Sequence, residues 1–284
     1  MLEKKKIVIT GHLGFVGSVV ARNLRTAGYD VWGIDKRTDN NEQTLVTNLL
    51  DFKETRDSIS KIAGVDVLIH MAALAHGEKP PLNYSTFDFN VDITKNVIKS
   101  LSEKMPHMIL LSSVAVYGED DRSWPVSVGA TTRPATEYGR SKLACEDLIL
   151  NAHFEKYDIL RLAPVYDNMH LKDVSKRVYF PASRIIKMRM SPAPCYSLCH
   201  VEHVADVIQN CILRNGSGGQ ILNVADPIPY SQHELVKWFK KGGTIPLPLK
   251  FARPLFFLGR LIPGEKGYAL RCLFSKLFFS NTYE

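Results

Sequence analysis

The sequence predicts an α/β fold: a doubly wound parallel sheet with a smaller C-terminal lobe. Three observations predict it. Short apolar runs alternate with helix-patterned stretches through the first 165 residues, the order that builds a parallel sheet with helices on both faces. A glycine-rich TGHLGFVG joins the first apolar run to the first helix. The second apolar run ends on a carboxylate, Asp35, 18 residues beyond Gly17.

Taken in order, KIVIT (6–10) is a short apolar strand, and Gly14 to Ala27 is a helix ended by Gly28. YDVWGID (29–35) is the next strand. VDVLIHMAA (65–73), HMILLSS (107–113) and YDILRLA (157–163) follow, with helical segments between them. After Val165 the pattern loosens into Pro-, Lys- and Arg-rich text, with a helix expected at 201–214 and a strand at 220–224. The division expected is therefore residues 1–165 as the main domain and 166–284 as the smaller lobe, with 201–225 returning to the main core. No internal repeat or low-complexity segment interrupts this order.

A chain of 284 residues suffices for one large domain or one plus a small lobe. Its 45% hydrophobic and 23% charged residues are those of an ordinary soluble globular protein. The net charge of +7 suits anionic small substrates; no clustered basic stripe points to nucleic acid. Five cysteines (145, 195, 199, 211 and 272) lack framework spacing, which points to a reducing compartment and a cytoplasmic location. Cys195-x-x-x-Cys199-His200 has no second ligand pair after it, so no metal is expected. Lys4–Lys6 run straight into a strand, which does not read as a signal peptide. No apolar run reaches the roughly 18 residues of a membrane span.

Gly11, Gly14 and Gly17 follow the first strand directly and open the first helix. Glycine there allows a tight turn, close approach of backbone to a pyrophosphate, and close helix packing. The helix start adds free N–H groups and a positive dipole end. Asp35 can then accept hydrogen bonds from adenosine ribose hydroxyls and repel a 2′-phosphate, which favours NAD over NADP. Lys36 and Arg37 beside it keep NADP as the alternative. Farther along, EYGRSKLACE sets Tyr138 and Lys142 four apart, on one helix face. A nearby ammonium lowers a phenol's pKa and makes the phenolate a usable base.

With these motifs the chain resembles the extended short-chain dehydrogenases/reductases of the NAD-dependent epimerase/dehydratase family, which includes UDP-galactose 4-epimerase. The resemblance runs from about residue 5 to residue 239 and implies a Rossmann-type fold. TGHLGFVG matches the family's G-x-x-G-F-x-G, implying that Gly11, Gly14, Phe15, Val16 and Gly17 bind the cofactor. NLLDF puts Asp51 where the family contacts adenine. HMAA matches the H-x-A-A strand end beside the cofactor, with Ala72 and Ala73, and FNVDITKNVI puts Asn90 on the N-V-x-x-T-x-N helix. SSVAVYG matches S-S-x-x-V-Y-G and makes Ser113 the catalytic hydroxyl. YGRSK supplies Tyr138 to move the substrate proton and Lys142 to hold the nicotinamide ribose. LRLAPVYD, SLCHVEHVADVI and ILNVADP echo the family's later motifs. His70 and His76 are not assigned as bases.

The resemblance implies a hydride-transfer enzyme acting on a nucleotide sugar, with a 4-epimerase as the first reading. A 4-keto-sugar reductase or dehydrogenase, or a non-catalytic NAD-binding relative, stays open. Dehydratase relatives carry an Asp and a Glu just after the catalytic hydroxyl; here stand Val114 and Ala115, which cannot titrate. Decarboxylating relatives have Glu and 3,5-epimerising ones Cys where Ala115 is. In the substrate lobe, Pro164 replaces an Asn, Asp167 a Gly, and Tyr196 a phosphate-binding Arg. Arg184, Lys187, Arg189 or Arg271 are candidates to replace that cation, with Arg184 and Arg271 carried forward as the substrate-binding residues. The apolar, basic end LPLKFARPLFFLGRL…LFSKLFF reads as lobe helices packed on the core, with a membrane surface as the alternative. The partners expected are a nucleotide sugar and no nucleic acid, and a homodimer is compatible with this.

Overall fold

The computed structural model describes residues 4–75, 78–101, 106–118, 125–180, 183 and 185–248. The elements run β1 (Lys6–Thr10), α1 (Phe15–Thr26), β2 (Asp30–Asp35), β3 (Thr44–Val46), α2 (Phe52–Ser60), β4 (Val67–His70), α3 (Thr86–Lys99) and β5 (His107–Ser113). A 3₁₀ turn (Val114–Tyr117), α4 (Glu137–Asn151), β6 (Lys156–Leu162), β7 (Val165–Tyr166), α5 (Lys172–Ser175) and β8 (Ile186–Ser191) come next. They are followed by β9 (Cys195–Tyr196), β10 (Cys199–His200), α6 (Val201–Leu213), β11 (Gly218–Val224), β12 (Tyr230–Ser231), α7 (Gln232–Trp238) and β13 (Gly243–Pro248). Two compact units form. One comprises the described residues of Met1–Gly118 with Thr131–Leu162 and Val201–Val224; the other comprises the described residues of Glu119–Ala130, Ala163–His200 and Ala225–Glu284.

The first unit is built on a seven-stranded sheet in the order β11-β6-β5-β4-β1-β2-β3. Every neighbouring pair in it is parallel. This is the doubly wound α/β sheet expected from the alternation of elements. Ile7, Val8, Ile9, Leu68, Ile69, Ile109, Leu110, Ile159 and Leu160 are all buried. Neighbouring residues of one strand point to opposite faces, so both faces are covered, and the strands read as unbroken apolar runs. Strand order reverses between β1 and β4, whose ends Thr10 and His70 lie in register. The chain thus leaves these two strands in opposite directions and opens a crevice at their C-terminal ends. Polar side chains set the helix starts: Asp51 caps α2, Ser85 caps α3 and Thr136 caps α4. On α1, Arg22 and Asn23 hold Glu202 of α6 at 2.6 and 2.7 Å.

The boundaries of β1 and β5 are those the apolar runs predict. The edge strand β3 has no counterpart in the sequence reading, because its three residues Thr44–Val46 are no apolar run. Among its described residues the second unit has three two-stranded pairs, β7 with β10, β9 with β12, and β8 with β13. Its core is Val174, Val178, Tyr196, Leu198 and Leu235.

Ile109 lies at the middle of β5 with no exposed surface. Ile109→Ala should destabilise the fold by about 2–5 kcal/mol, the range for an emptied core site. The check is a lower urea midpoint with an unchanged slope.

Candidate active site

The turn after β1 is held by steric fit. Gly11 has φ +73°, and a Cβ there would lie 2.9 Å from both Cα and N of Ala72. Its N–H donates to the Ile34 carbonyl at 2.7 Å. Only glycine satisfies both demands. Gly17, in the first turn of α1, comes so close to the loop that a Cβ would lie 2.3 Å from the Gly11 carbonyl oxygen. Gly14 is the N-cap of α1, and no side chain caps that helix. Phe15 and Val16 open α1 and stand at its positive end. This loop fits the pyrophosphate of a dinucleotide.

His12 was not singled out from the sequence. It is buried, and its ring fills the space over Gly33, where a Cβ would lie 2.3 Å from the imidazole. Its Nε2 pairs with Thr44 Oγ1 at 3.0 Å. Burial holds its pKa below the usual histidine value, against the pull of Asp35. The signal available was a glycine inside the apolar run VWGID, which a large neighbouring side chain explains.

Asp35, at the end of β2, accepts from the Leu13 and Arg37 amides at 3.1 Å each. The Arg37 guanidinium donates to it through Nε at 3.2 Å. Burial raises the carboxyl's pKa, but the Arg37 hydrogen bonds and the Leu13 amide outweigh it and hold the group below its usual range. The carboxylate therefore braces the glycine loop through the Leu13 amide. Arg37 is engaged by Asp35 rather than projecting alone. Asp51 accepts from the Glu54 amide at 2.9 Å as the cap of α2.

The end of β4 carries a directional chain of hydrogen bonds. Met71 and Ala72 amides donate to Thr10 Oγ1 at 3.2 and 3.3 Å. Thr10 Oγ1 pairs with His70 Nδ1 at 2.7 Å, and His70 Nε2 with Thr94 Oγ1 at 3.0 Å. Thr94 donates to the Asn90 carbonyl at 2.8 Å. These contacts fit the tautomer with the proton on Nε2. Burial, reinforced by Lys142, pushes His70 down to about 3, so it stays neutral. Asn90 is wholly engaged: it accepts from the Leu74 amide at 2.7 Å, and donates to the Leu74 carbonyl at 3.2 Å and to Ser141 at 2.9 Å. Its amide anchors the segment that carries Ala72 and Ala73, both half-buried.

Ser113 ends β5 and caps the 3₁₀ turn, its Oγ accepting from the Ala115 amide at 3.2 Å. Its hydroxyl proton is left to donate. Val114 and Ala115 follow it in that turn, with Val114 buried. Tyr138 is in the first turn of α4. Lys142, one turn on, is buried, with its Nζ 5.9 Å from the Tyr138 ring centroid. That ammonium donates to the Leu111 carbonyl at 2.8 Å. Burial depresses the Lys142 pKa, against the pull of Cys145 and Glu146. Ser113, Tyr138 and Lys142 thus all belong to the junction of α4 with the end of β5. The Glu146–Arg161 ion pair behind them was not singled out; its signal was an arginine inside the apolar run YDILRLA.

In the second unit, Tyr196 is fully buried, with the Arg177 guanidinium 5.3 Å over its ring. Asp167 accepts from the Met169 and His170 amides at 2.7 Å each. Of the candidate cations, Lys187 is tied to the Phe239 carbonyl at 2.8 Å and Arg189 is exposed. Arg184, Arg271, His76, Cys272 and the apolar end from residue 249 lie outside the described residues. Among the described residues, no group of three or more His, Cys, Asp or Glu could hold a metal. No helix among them is long and apolar enough to cross a membrane.

The sheet, its switch point and the loop after β1 define a dinucleotide-binding α/β protein. The chain belongs to the NAD dependent epimerase/dehydratase family, which it matches over residues 7–225. It is 24% identical to the UDP-glucose 4-epimerase of Streptomyces lividans over 273 residues, 86% of this chain and 82% of that one. It is 30% identical to the dTDP-4-dehydrorhamnose reductase of Mycolicibacterium smegmatis over 167 residues, 57% of this chain and 46% of the relative. Its match to a bifunctional protein GAL10 of Kluyveromyces lactis covers 54% of this chain but only 25% of the relative's length, at 26% identity. Among solved structures it is similar to an NAD-bound short-chain dehydrogenase/reductase superfamily protein from Agrobacterium tumefaciens (TM-score 0.71, 21% identity, 86% of each chain). A UDP-Glc/GlcNAc 4-epimerase from Campylobacter jejuni has TM-score 0.71 at 20% identity, over 86% of this chain and 87% of that one.

Asp35→Ala removes a charged acceptor, and hydrogen bonds to charged groups are worth about 1.5–3 kcal/mol. NAD affinity should fall by roughly tenfold or more, and the margin over NADP should narrow. Calorimetric titration with both dinucleotides checks this; unchanged NAD affinity contradicts a ribose role for Asp35.

Proposed function

We propose that this chain is an NAD-dependent enzyme that acts on the sugar of a nucleotide sugar, as a 4-epimerase. The observation that carries the reading is the buried Lys142 on the same helix face as Tyr138, at the β5 end that bears Ser113. Family membership and the epimerase relatives support it.

On this reading Gly11, Gly14, Phe15, Val16 and Gly17 hold the pyrophosphate through backbone amides, and Asp35 reads the adenosine ribose. Ala72 and Ala73 line the same crevice, with Asn90 fixing their backbone, and Asp51 stands on the adenine side. When bound, NAD supplies a hydride acceptor at one carbinol carbon. Tyr138 takes the hydroxyl proton from that carbon's oxygen and returns it. The Ser113 hydroxyl donates to the same oxygen and keeps it in place. Lys142, cationic beside the phenol, favours the phenolate and holds the nicotinamide ribose. Val114 and Ala115 have no titratable side chain, which agrees with chemistry confined to one carbinol centre rather than loss of water. Arg184 and Arg271 remain the candidate contacts to the nucleotide phosphates.

The likeness to a dTDP-4-dehydrorhamnose reductase favours a second reading, one-way reduction of a keto sugar. The two differ in cofactor turnover: an epimerase ends each cycle with its NAD unchanged and keeps it, whereas a reductase exchanges it.

The test is turnover of UDP-, GDP- and dTDP-sugars by the purified protein, with the cofactor it releases identified by mass spectrometry. Tightly held, stoichiometric NAD with interconversion of 4-epimers is the expected result; exchange of a reduced dinucleotide supports the reductase. Tyr138→Phe should lower turnover by about a hundredfold or more while NAD content stays level. A variant within about threefold of the parent would remove Tyr138 from the proton transfer.

A further inference from the structure

We propose that the buried ion pair Glu146–Arg161 is a positioning device for the reaction. Through Ser112 it sets the strand end that carries Ser113, and from one turn along α4 it holds Lys142 in register. This rests on the roles proposed above for Ser113 and Lys142.

The geometry is explicit. Arg161 Nε donates to both Glu146 carboxylate oxygens at 3.1 and 3.2 Å, and Nη2 donates to Oε2 at 2.7 Å. Glu146 is 1% exposed and Arg161 5%. The Ser112 hydroxyl donates to Glu146 Oε1. Arg161 Nη1 donates to the Tyr117 hydroxyl at 3.0 Å, and that hydroxyl donates to Asn223 Oδ1 at 2.6 Å. The guanidinium also lies 5.0 Å from the Tyr117 ring centroid. One ion pair therefore joins α4, the ends of β5 and its 3₁₀ turn, β6 and β11.

Stability alone does not account for it. Removing two charges from water costs several kcal/mol per ion, and well-packed apolar residues in place of such a pair are often neutral or stabilising. What an apolar pair cannot do is fix direction. Fork geometry holds the carboxylate in one plane, and the carboxylate holds the Ser112 hydroxyl. Ser112 and Ser113 are consecutive in one strand, so fixing the first aims the second to the opposite face. Lys142 and Glu146 are four apart on one helix face, and they grip adjacent residues of β5, the Leu111 carbonyl and the Ser112 hydroxyl.

The pair also acts by charge. The groups facing Lys142 are Cys145, Glu146 and the Tyr138 ring on α4, His70 on β4 and the Leu111 carbonyl on β5. Burial pushes the Cys145 thiol up, and His70 is neutral. Glu146, ion-paired with Arg161, is the carboxylate of this set, and it opposes the loss of the Lys142 proton that burial promotes.

Ser112→Ala leaves the ion pair intact and cuts its link to the strand. Its kcat should fall about tenfold, with KM, NAD affinity and melting temperature near the parent's, since small misplacements of catalytic groups cost one to two decades. Glu146→Gln keeps the shape and removes the charge. The alkaline limbs of its kcat and of its NAD affinity should move to lower pH by about one unit. Parental kcat in Ser112→Ala, together with unshifted limbs in a folded Glu146→Gln protein, overturns the proposal. If Glu146→Gln fails to fold, Ser112→Ala decides. A parent that turns over no sugar nucleotide refutes the proposed function instead, and the pH dependence of NAD affinity in Glu146→Gln still decides this inference.

Discussion

The burial of the Lys142 ammonium is the constraint on which the site depends. An isolated buried ammonium is among the costliest groups a protein can hold. Here the cost is offset by the Leu111 carbonyl, by the Tyr138 ring and by Glu146 one turn along. For the ammonium to reach that carbonyl, α4 must lie close on β5. Gly139 permits it: a Cβ there would sit 2.6 Å from the Ala115 carbonyl oxygen. Ser141, with no exposed surface, donates to the Tyr138 carbonyl at 2.8 Å and accepts from Asn90 of α3. Tyr138, in the first turn of this helix, has its position set by groups that carry no chemistry of their own.

The sheet was legible because its strands are covered on both faces. HMILLSS and KIVIT are unbroken apolar runs for that reason, and their ends coincide with β5 and β1. The glycine loop was legible because left-handed backbone and backbone-to-backbone contact leave only one residue type at Gly11. What pattern could not show was the partner of each polar side chain. Asp35, expected only as a ribose acceptor, also braces the loop amide of Leu13, and Asn90 spends its amide on Leu74 and Ser141. Asp51, expected at the adenine, also caps α2. These bonds cross 16 to 51 residues of sequence in the case of Asn90, a separation that no local period records. His12 escaped notice because its partner is an absence, the missing side chain at Gly33.

The second unit was harder to read, because its described strands are two to six residues long and much of what packs around its small core is aromatic and only partly buried, Tyr166, Tyr179, Tyr230, Trp238 and Phe239 among it. Tyr196 illustrates the difference. Where relatives are expected to carry a cation, this chain buries a phenol ring and sets Arg177 over it. Nearby, Asp226 accepts from the hydroxyls of Tyr166 and Tyr230 at 3.1 and 3.0 Å and from the His200 amide at 2.9 Å. Burial and that carboxylate raise the pKa of both phenols. They are hydrogen-bond donors at neutral pH and not bases.

That contrast bears on which phenol moves protons. A tyrosine becomes a base when a cation lies beside it and no carboxylate does. Tyr166 and Tyr230 have the opposite environment, with Asp226 against both. Tyr196 is buried to the same effect, for burial outweighs the Arg177 charge and leaves its pKa raised. Tyr138 has Lys142 for a neighbour; around that ammonium His70 is neutral, Cys145 is held as a thiol, and the Glu146 carboxylate is bound to Arg161 and Ser112. An enzyme that removed water would need a second proton carrier beside the first. At the junction of α4 and β5 the proposed chemistry uses one phenol, Tyr138, one ammonium, Lys142, and the hydroxyl of Ser113, while the Ser112 hydroxyl and the Glu146 carboxylate are spent on each other. That set matches the proposed movement of a single hydroxyl proton in step with a hydride at the same carbon.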